Sequence, residues 1–161
     1  MNTTNSDSFV PVKNGNGMRV QKFTWQDLQD AVDAFQIPEQ LLRYRWYAVS
    51  RGALPFATML AVKYNKRLGV IEPFRVSEPN DTYEQWLAPP LSTGRSSILI
   101  IDDVICSKRT QDAVYYILRS SYFSGECRWL CLVKSECFTP DFYILDGSEV
   151  YYEFPWEPNG E

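Results

Sequence analysis

Apolar positions along the chain fall into short continuous runs that alternate with helical stripes. Residues 1–17 are rich in Asn, Ser, Thr and Gly and carry few apolar side chains, too few to offset the cost of ordering, so 1–18 is expected to be a loose tail. Thr24 and Asp27 resemble a capping box with a shortened acid, and Trp25, Leu28, Ala31, Val32 and Phe35 then share one helical face, which predicts an amphipathic helix packed on the core and ended near Pro38. Arg45-Trp46-Tyr47-Ala48-Val49-Ser50 reads as a strand, Arg51-Gly52-Ala53-Leu54-Pro55 as a tight turn, and 56–64 as a helix. Leu68-Gly69-Val70-Ile71 predicts a second strand. The segment 72–95, with four prolines and scattered charge, is expected to be a mobile excursion. A third strand is expected over 97–101, a helix over about 110–120, and a fourth strand over 129–133. Parallel neighbours require crossover helices, so this alternation predicts an α/β fold with a mainly parallel central sheet flanked by helices on both faces. No internal repeat is present.

Composition narrows the chemistry. At 161 residues, 45% hydrophobic and 15% aromatic, the chain can bury one good core, so 19–161 is expected to form a single domain. Sixteen basic against 20 acidic residues give a net charge of −4 without any Lys/Arg block, which argues against a nucleic-acid partner. No leader and no apolar run of membrane-spanning length occurs, so no membrane partner is expected and the cytoplasm is the expected setting. Cys106, Cys127, Cys131 and Cys137 lack the paired spacing of a zinc site and are read as reduced thiols. The histidine count is 0, which excludes histidine-dependent triads and acid/base work. Carboxylates, Lys, Arg, Tyr or Cys must therefore carry any chemistry.

The densest group of such residues follows the third strand, in Ser97-Ile98-Leu99-Ile100-Ile101-Asp102-Asp103-Val104-Ile105-Cys106-Ser107-Lys108-Arg109-Thr110. Ligands of open α/β sheets collect beyond the carboxyl ends of strands, where Ser50-Arg51-Gly52, Asp102-Asp103 and Lys134 all fall. Amides at the start of the helix after Lys108-Arg109, with the hydroxyls of Ser107 and Thr110, suit a phosphate monoester. Asp102 and Asp103 can hold ribose hydroxyls directly or through Mg²⁺, which takes a few carboxylates plus substrate oxygens. The competing reading makes the two acids ordinary solvated or helix-capping carboxylates.

In this arrangement the chain resembles the type I phosphoribosyltransferases, most closely the small bacterial xanthine-guanine enzymes, over nearly everything after the tail. Phe23-Thr24-Trp25-Gln26-Asp27-Leu28-Gln29 is similar to that group's opening helix, and Ala48-Val49-Ser50-Arg51-Gly52-Ala53-Leu54 to its pyrophosphate loop. Ile100-Ile101-Asp102-Asp103-Val104-Ile105 is similar to the start of the phosphoribosyl diphosphate signature. Val133-Lys134 falls where the group carries a base-reading lysine, and Tyr151-Tyr152-Glu153-Phe154-Pro155-Trp156-Glu157 resembles its closing segment. The resemblance implies transfer of 5-phosphoribose from phosphoribosyl diphosphate to a 6-oxopurine, with Mg²⁺ as cofactor. Ser50, Arg51 and Gly52 would meet the diphosphate, and Ser107, Lys108, Arg109 and Thr110 the phosphate. Asp102 and Asp103 would hold the ribose and metal, Lys134 would donate to the purine O6, and Tyr151 would stack on the base. It also implies a homodimer or homotetramer and a hood over the site at 72–95.

Two positions depart from the pattern. Cys106 stands where purine-using members have an aspartate that assists N7 of the base, and a thiol is a weak hydrogen-bond partner, mostly protonated at neutral pH. Lys108 stands where the phosphate turn has glycine. These departures keep open a second reading, a nucleotide- or phosphoribosyl-diphosphate-binding protein of weakened turnover. A third, thiol chemistry at Cys106 beside Lys108 and Arg109, lacks a histidine base.

Overall fold

The computed structural model describes residues 19–73, 85–86, 96–105, 108–121 and 123–157. Its elements are β1 (Arg19–Lys22), α1 (Trp25–Ala34), a 3₁₀ turn (Glu39–Arg43), β2 (Arg45–Val49), α2 (Leu54–Lys63), β3 (Leu68–Pro73), β4 (Gln85–Trp86), β5 (Ile98–Val104), α3 (Lys108–Ser120), β6 (Cys127–Lys134), β7 (Phe142–Asp146) and β8 (Val150–Glu153). The tail expected over 1–18 lies outside the described residues.

Six strands form one sheet in the order β4-β3-β2-β5-β6-β7, and β1 and β8 form a separate two-stranded sheet. Every pairing is parallel except β3 with β4, where Glu72 lies opposite Trp86. The expected α/β architecture with a mainly parallel sheet is therefore what the chain adopts. β5 occupies the centre, and Ile98, Leu99, Ile100 and Ile101 are all buried, as a central strand covered on both faces requires. Among the described residues no helix is long and apolar enough to cross a membrane.

The capping box forms: Thr24 Oγ1 accepts from Asp27 N at 3.1 Å, and Asp27 Oδ2 accepts from Thr24 N at 2.7 Å. Leu28 and Val32 are buried, but Trp25 is 54% exposed and rests on Trp156 with ring centroids 5.5 Å apart, so the first stripe residue is a rim residue and not core. The carboxyl end of α1 is closed by α2. Lys63 Nζ donates to the carbonyls of Val32, Asp33 and Phe35 at 2.8, 2.9 and 2.8 Å, placing a cation at the negative end of the helix dipole. Tyr64 Oη donates to Phe35 O at 2.8 Å and accepts from Ile37 N at 3.1 Å, while Trp46 Nε1 donates to Leu41 O at 3.0 Å. These bonds fix α1 and the 3₁₀ turn against β2 and α2.

Several boundaries differ from the sequence expectation. α2 starts at Leu54, because Pro55 sits in its first turn, where its missing N–H costs no helical bond. β5 continues to Val104, since its ladder with β6 runs on through Asp102 opposite Cys131 and Val104 opposite Val133. α3 begins at Lys108 and not at Thr110. The excursion expected over 72–95 is partly strand: Glu72 and Pro73 belong to β3 and Gln85–Trp86 is β4, while 74–84 and 87–95 lie outside the described residues.

Candidate functional site

β2, β5 and β6 run in the same direction in adjacent positions, so their carboxyl ends open on one edge of the sheet. This brings Ser50-Arg51-Gly52, Asp102-Asp103 and Lys134 to that edge, with α3 starting beyond β5 at Lys108. Ser50 N donates to Ile71 O at 2.8 Å, which ties the turn after β2 to β3, and the Ser50–Arg51 peptide is cis. Arg51 is exposed and Gly52 half-buried.

Gly52 lies against Asp103. A methyl group on Gly52 would stand 2.9 Å from the carboxyl carbon of Asp103 and 3.1 Å from Oδ1, with Oδ2 nearer still, so only a residue without Cβ fits this approach.

Asp102 is 4% exposed and Asp103 8%, which rejects the reading of solvated carboxylates. Their hydrogen bonds go to strand amides: Asp102 Oδ1 accepts from Asp103 N at 2.9 Å and Asp103 Oδ1 from Val104 N at 2.7 Å. A third bond reaches in from the carboxyl-terminal segment, where Trp156 Nε1 donates to Asp103 Oδ2 at 3.3 Å. Burial pushes the Asp102 carboxyl well above the usual carboxylate range, with the Asp103 charge adding to the effect. Across the β5–β6 ladder, burial raises the Cys131 thiol as well, reinforced by the charges of Asp102 and Asp103. Glu157 is also raised, first by burial, with Asp103 and Glu153 contributing. A buried cluster of acidic groups thus stands at the end of β5, whose ionised forms a cation or hydroxyl donors would favour.

Among the described residues no group of three or more His, Cys, Asp and Glu assembles a metal cage. Two carboxylates with part of their lone pairs already engaged fit a cation that takes most of its ligands from substrate and water, which is how Mg²⁺ binds.

Lys134 ends β6 with its side chain half-buried; Nζ lies 3.2 Å from Asp146 Oδ2 and 5.4 Å from the centroid of the Tyr143 ring. Asp146 is in turn held by Ser148, which donates from Oγ at 2.6 Å and from N at 3.0 Å to Oδ1. Tyr151 is 44% exposed on β8 and is not a core tyrosine. Lys108 and Arg109 are exposed and Thr110 half-buried in the first turn of α3, while Cys106 and Ser107 lie outside the described residues. The other three cysteines, Cys127, Cys131 and Cys137, are free thiols.

Trp156 and Asp146 are site neighbours to which sequence reasoning gave no role. For Trp156 a signal was available: Tyr152, Phe154 and Trp156 alternate with polar residues or Pro, and their rings stack as a ladder, Phe154 on Trp156 at 4.7 Å and Tyr152 on Phe154 at 6.5 Å.

No protein-family model matches the sequence, and no curated protein matches it. Solved structures do match. The purine phosphoribosyltransferase of Pyrococcus horikoshii Ot3 superposes with a TM-score of 0.71 at 21% identity, covering 88% of this chain and 96% of that one. The xanthine-guanine-hypoxanthine phosphoribosyltransferase of Helicobacter pylori gives 0.69 at 17% identity, covering 86% and 94%. A hypothetical protein of Neisseria gonorrhoeae, solved with bound ppGpp, gives 0.63 at 16% identity, covering 88% and 91%. Superposition over 86–88% of this chain, at TM-scores of 0.69–0.71, gives it the fold of the type I purine phosphoribosyltransferases.

Proposed function

We propose that the protein transfers 5-phosphoribose from phosphoribosyl diphosphate to N9 of a 6-oxopurine. The observation that supports this most is the buried Asp102-Asp103 pair at the carboxyl end of β5, with the Gly52 backbone packed against Asp103. In the reaction the C1′–O bond to diphosphate breaks, its electron pair leaving on diphosphate, and the N9–C1′ bond forms as the N9 proton is released to water or diphosphate. The two carboxylates hold the ribose hydroxyls and favour the positive charge that develops on the sugar. The charge that builds on the departing diphosphate is what a bound Mg²⁺ would neutralise, with Asp102 and Asp103 as its protein ligands.

Amides of Arg51 and Gly52, with the Ser50 hydroxyl and the Arg51 guanidinium, take the diphosphate. Ser107, Lys108, Arg109 and Thr110 take the 5′-phosphate at the start of α3. Lys134 donates to the purine O6, Tyr151 stacks on the base, and Cys106 stands beside N7. The active form is a homodimer or homotetramer working in the cytoplasm.

A second reading keeps the pocket and loses turnover. It is favoured by Lys108, an exposed side chain at the first position of α3 where the resembled loop has glycine, and by Cys106 in place of an aspartate. The Neisseria neighbour with ppGpp bound is consistent with a nucleotide-binding role on this fold. Incubation with phosphoribosyl diphosphate, Mg²⁺ and each purine or pyrimidine base separately, followed by mass-resolved chromatography, tests both. A nucleoside monophosphate from a 6-oxopurine supports transfer. Folded protein that binds phosphoribosyl diphosphate but yields no product supports the second reading, and Cys106→Asp with Lys108→Gly should then create activity without much change in affinity.

A further inference from the structure

Trp156 is not used by the scheme above, yet it is the residue that connects the aromatic cluster around β1 and β8 to the acidic pair. β8 lies parallel to β1, with Val20 opposite Tyr151, and Phe23 N donates to Glu153 O at 2.9 Å. The turn that follows is closed by Glu157, whose N donates to Phe154 O at 3.2 Å and whose Oε2 accepts from Phe154 N at 3.2 Å. Phe154 is buried, meeting Phe23 edge-on at 5.6 Å, and Trp156 stacks on Phe154 at 4.7 Å with an interplanar angle of 8°. Trp25 leans on the indole from α1 at 5.5 Å. The ring is therefore held by Phe154 of its own turn and by Trp25 of α1 before its N–H reaches Asp103.

We propose that Trp156 is a positioning residue that holds the Asp103 carboxylate in the orientation that receives the ribose of phosphoribosyl diphosphate, a role that rests on the transfer reading above. Asp103 is restrained on three sides: Oδ1 by Val104 N at 2.7 Å, Oδ2 by the indole N–H at 3.3 Å, and the carboxyl group by the backbone of Gly52. Val104 N alone permits the carboxylate to swing about the Oδ1 contact. The indole N–H supplies the second fixed point, and two points set the direction of the remaining lone pairs. The donor arrives on a segment whose own strand carries Tyr151, so the element expected to stack on the base and the element that orients the ribose acid are one piece of chain, Val150 to Trp156.

The test uses Trp156→Phe, which keeps a ring to stack on Phe154 and to face Trp25 but removes the N–H donor. Trp156→Tyr serves as a second ring lacking the indole N–H should the Phe variant be unstable. Calorimetric titration measures binding of phosphoribosyl diphosphate and, separately, of inorganic diphosphate, each with Mg²⁺. The expected result is a five- to twentyfold loss of affinity for phosphoribosyl diphosphate, with inorganic diphosphate changed by less than twofold, because only the former carries the ribose. Asp103→Ala, which also removes a proposed Mg²⁺ ligand, should lower affinity for both ligands, and adding Trp156→Phe to it should cost nothing further. Equal binding of phosphoribosyl diphosphate by wild type and Trp156→Phe, or a parallel loss of both ligands in that variant, overturns the positioning role while leaving the transfer reading standing. Wild-type protein that binds no phosphoribosyl diphosphate overturns both.

Discussion

Replacing Gly52 by alanine is expected to be costly only because Asp103 is where it is. The added methyl would lie 2.9 Å from the Asp103 carboxyl carbon and 3.1 Å from Oδ1, well inside van der Waals contact, so either the turn or the carboxylate must move. The turn is tied down by Ser50 N to Ile71 O at 2.8 Å and Leu54 N to Arg51 O at 3.2 Å, which leaves the carboxylate to yield. Displacing it forfeits the bonds from Val104 N at 2.7 Å and Trp156 Nε1 at 3.3 Å. Hydrogen bonds to a charged group contribute about 1.5–3 kcal/mol each, and partial relaxation brings the expected total to roughly 2–4 kcal/mol. Urea unfolding of wild type, Gly52→Ala, Asp103→Ala and the double variant closes a thermodynamic cycle. With the carboxylate absent, the glycine replacement becomes an ordinary loop change of about 1 kcal/mol or less in either direction. The two substitutions should therefore couple by roughly 2 kcal/mol or more. An equal cost of Gly52→Ala in both backgrounds would refute the steric argument and with it the close approach of the turn to the acid.

Asp102→Asn should stabilise the protein, and increasingly so as the pH rises. The folded-state carboxyl is raised above its unfolded value, so its burial carries no ionisation penalty below the ordinary carboxylate range and a growing one as pH climbs through the raised value. Thermal melts of variant and wild type from pH 4 to 9 should diverge upward for the variant; a gap that narrows with pH would contradict this sign. Asp146 titrates in the opposite sense. Hydrogen bonds from Ser148, then the pairing with Lys134, hold its carboxyl down at about 2, so its contribution is present above the ordinary carboxylate range and fades as pH falls toward that value. An NMR titration that places Asp146 near 4 would remove the proposed support of Lys134. Lys63→Met should lower stability by about 1–2 kcal/mol, since three carbonyls at the end of α1 lose a cationic donor. An unchanged urea midpoint would show that water replaces the lysine without cost.

The centre of the sheet was legible in the sequence because its physics is local. Ile98 to Ile101 form an unbroken apolar run, which a strand covered on both faces requires, and the acids that end it mark the carboxyl edge of the sheet. β1, β7 and β8 escaped because each lacks that signal. Phe142-Tyr143-Ile144-Leu145-Asp146 sits at the sheet margin with every side chain at least partly exposed. Arg19-Val20-Gln21-Lys22 and Val150-Tyr151-Tyr152-Glu153 are four-residue strands that pair with each other across most of the chain, so neither can be recognised without its partner. Pro55, read as part of a turn, belongs to the first turn of α2, a position that tolerates proline for the same reason that turns do.

The site was legible in its acids and not in what holds them. Asp102 and Asp103 follow from strand-end chemistry, but nothing in the sequence requires that both be buried or that they bond amides of their own strand. Burial makes Asp102 costly to keep ionised, and a chain that needed only a soluble loop at this point would gain stability by discarding it. The indole that meets Asp103 comes from 53 residues further along, and Gly52 comes from 51 residues before it, so the clamp on this carboxylate exists only once β2, β5 and the carboxyl-terminal turn are assembled. Two distant segments converging on one buried carboxylate are what a ligand-orienting acid needs and what a capping or solvated aspartate does not. The geometry therefore fits a ligand-orienting acid, the part that the proposed transfer or binding reading gives to Asp103.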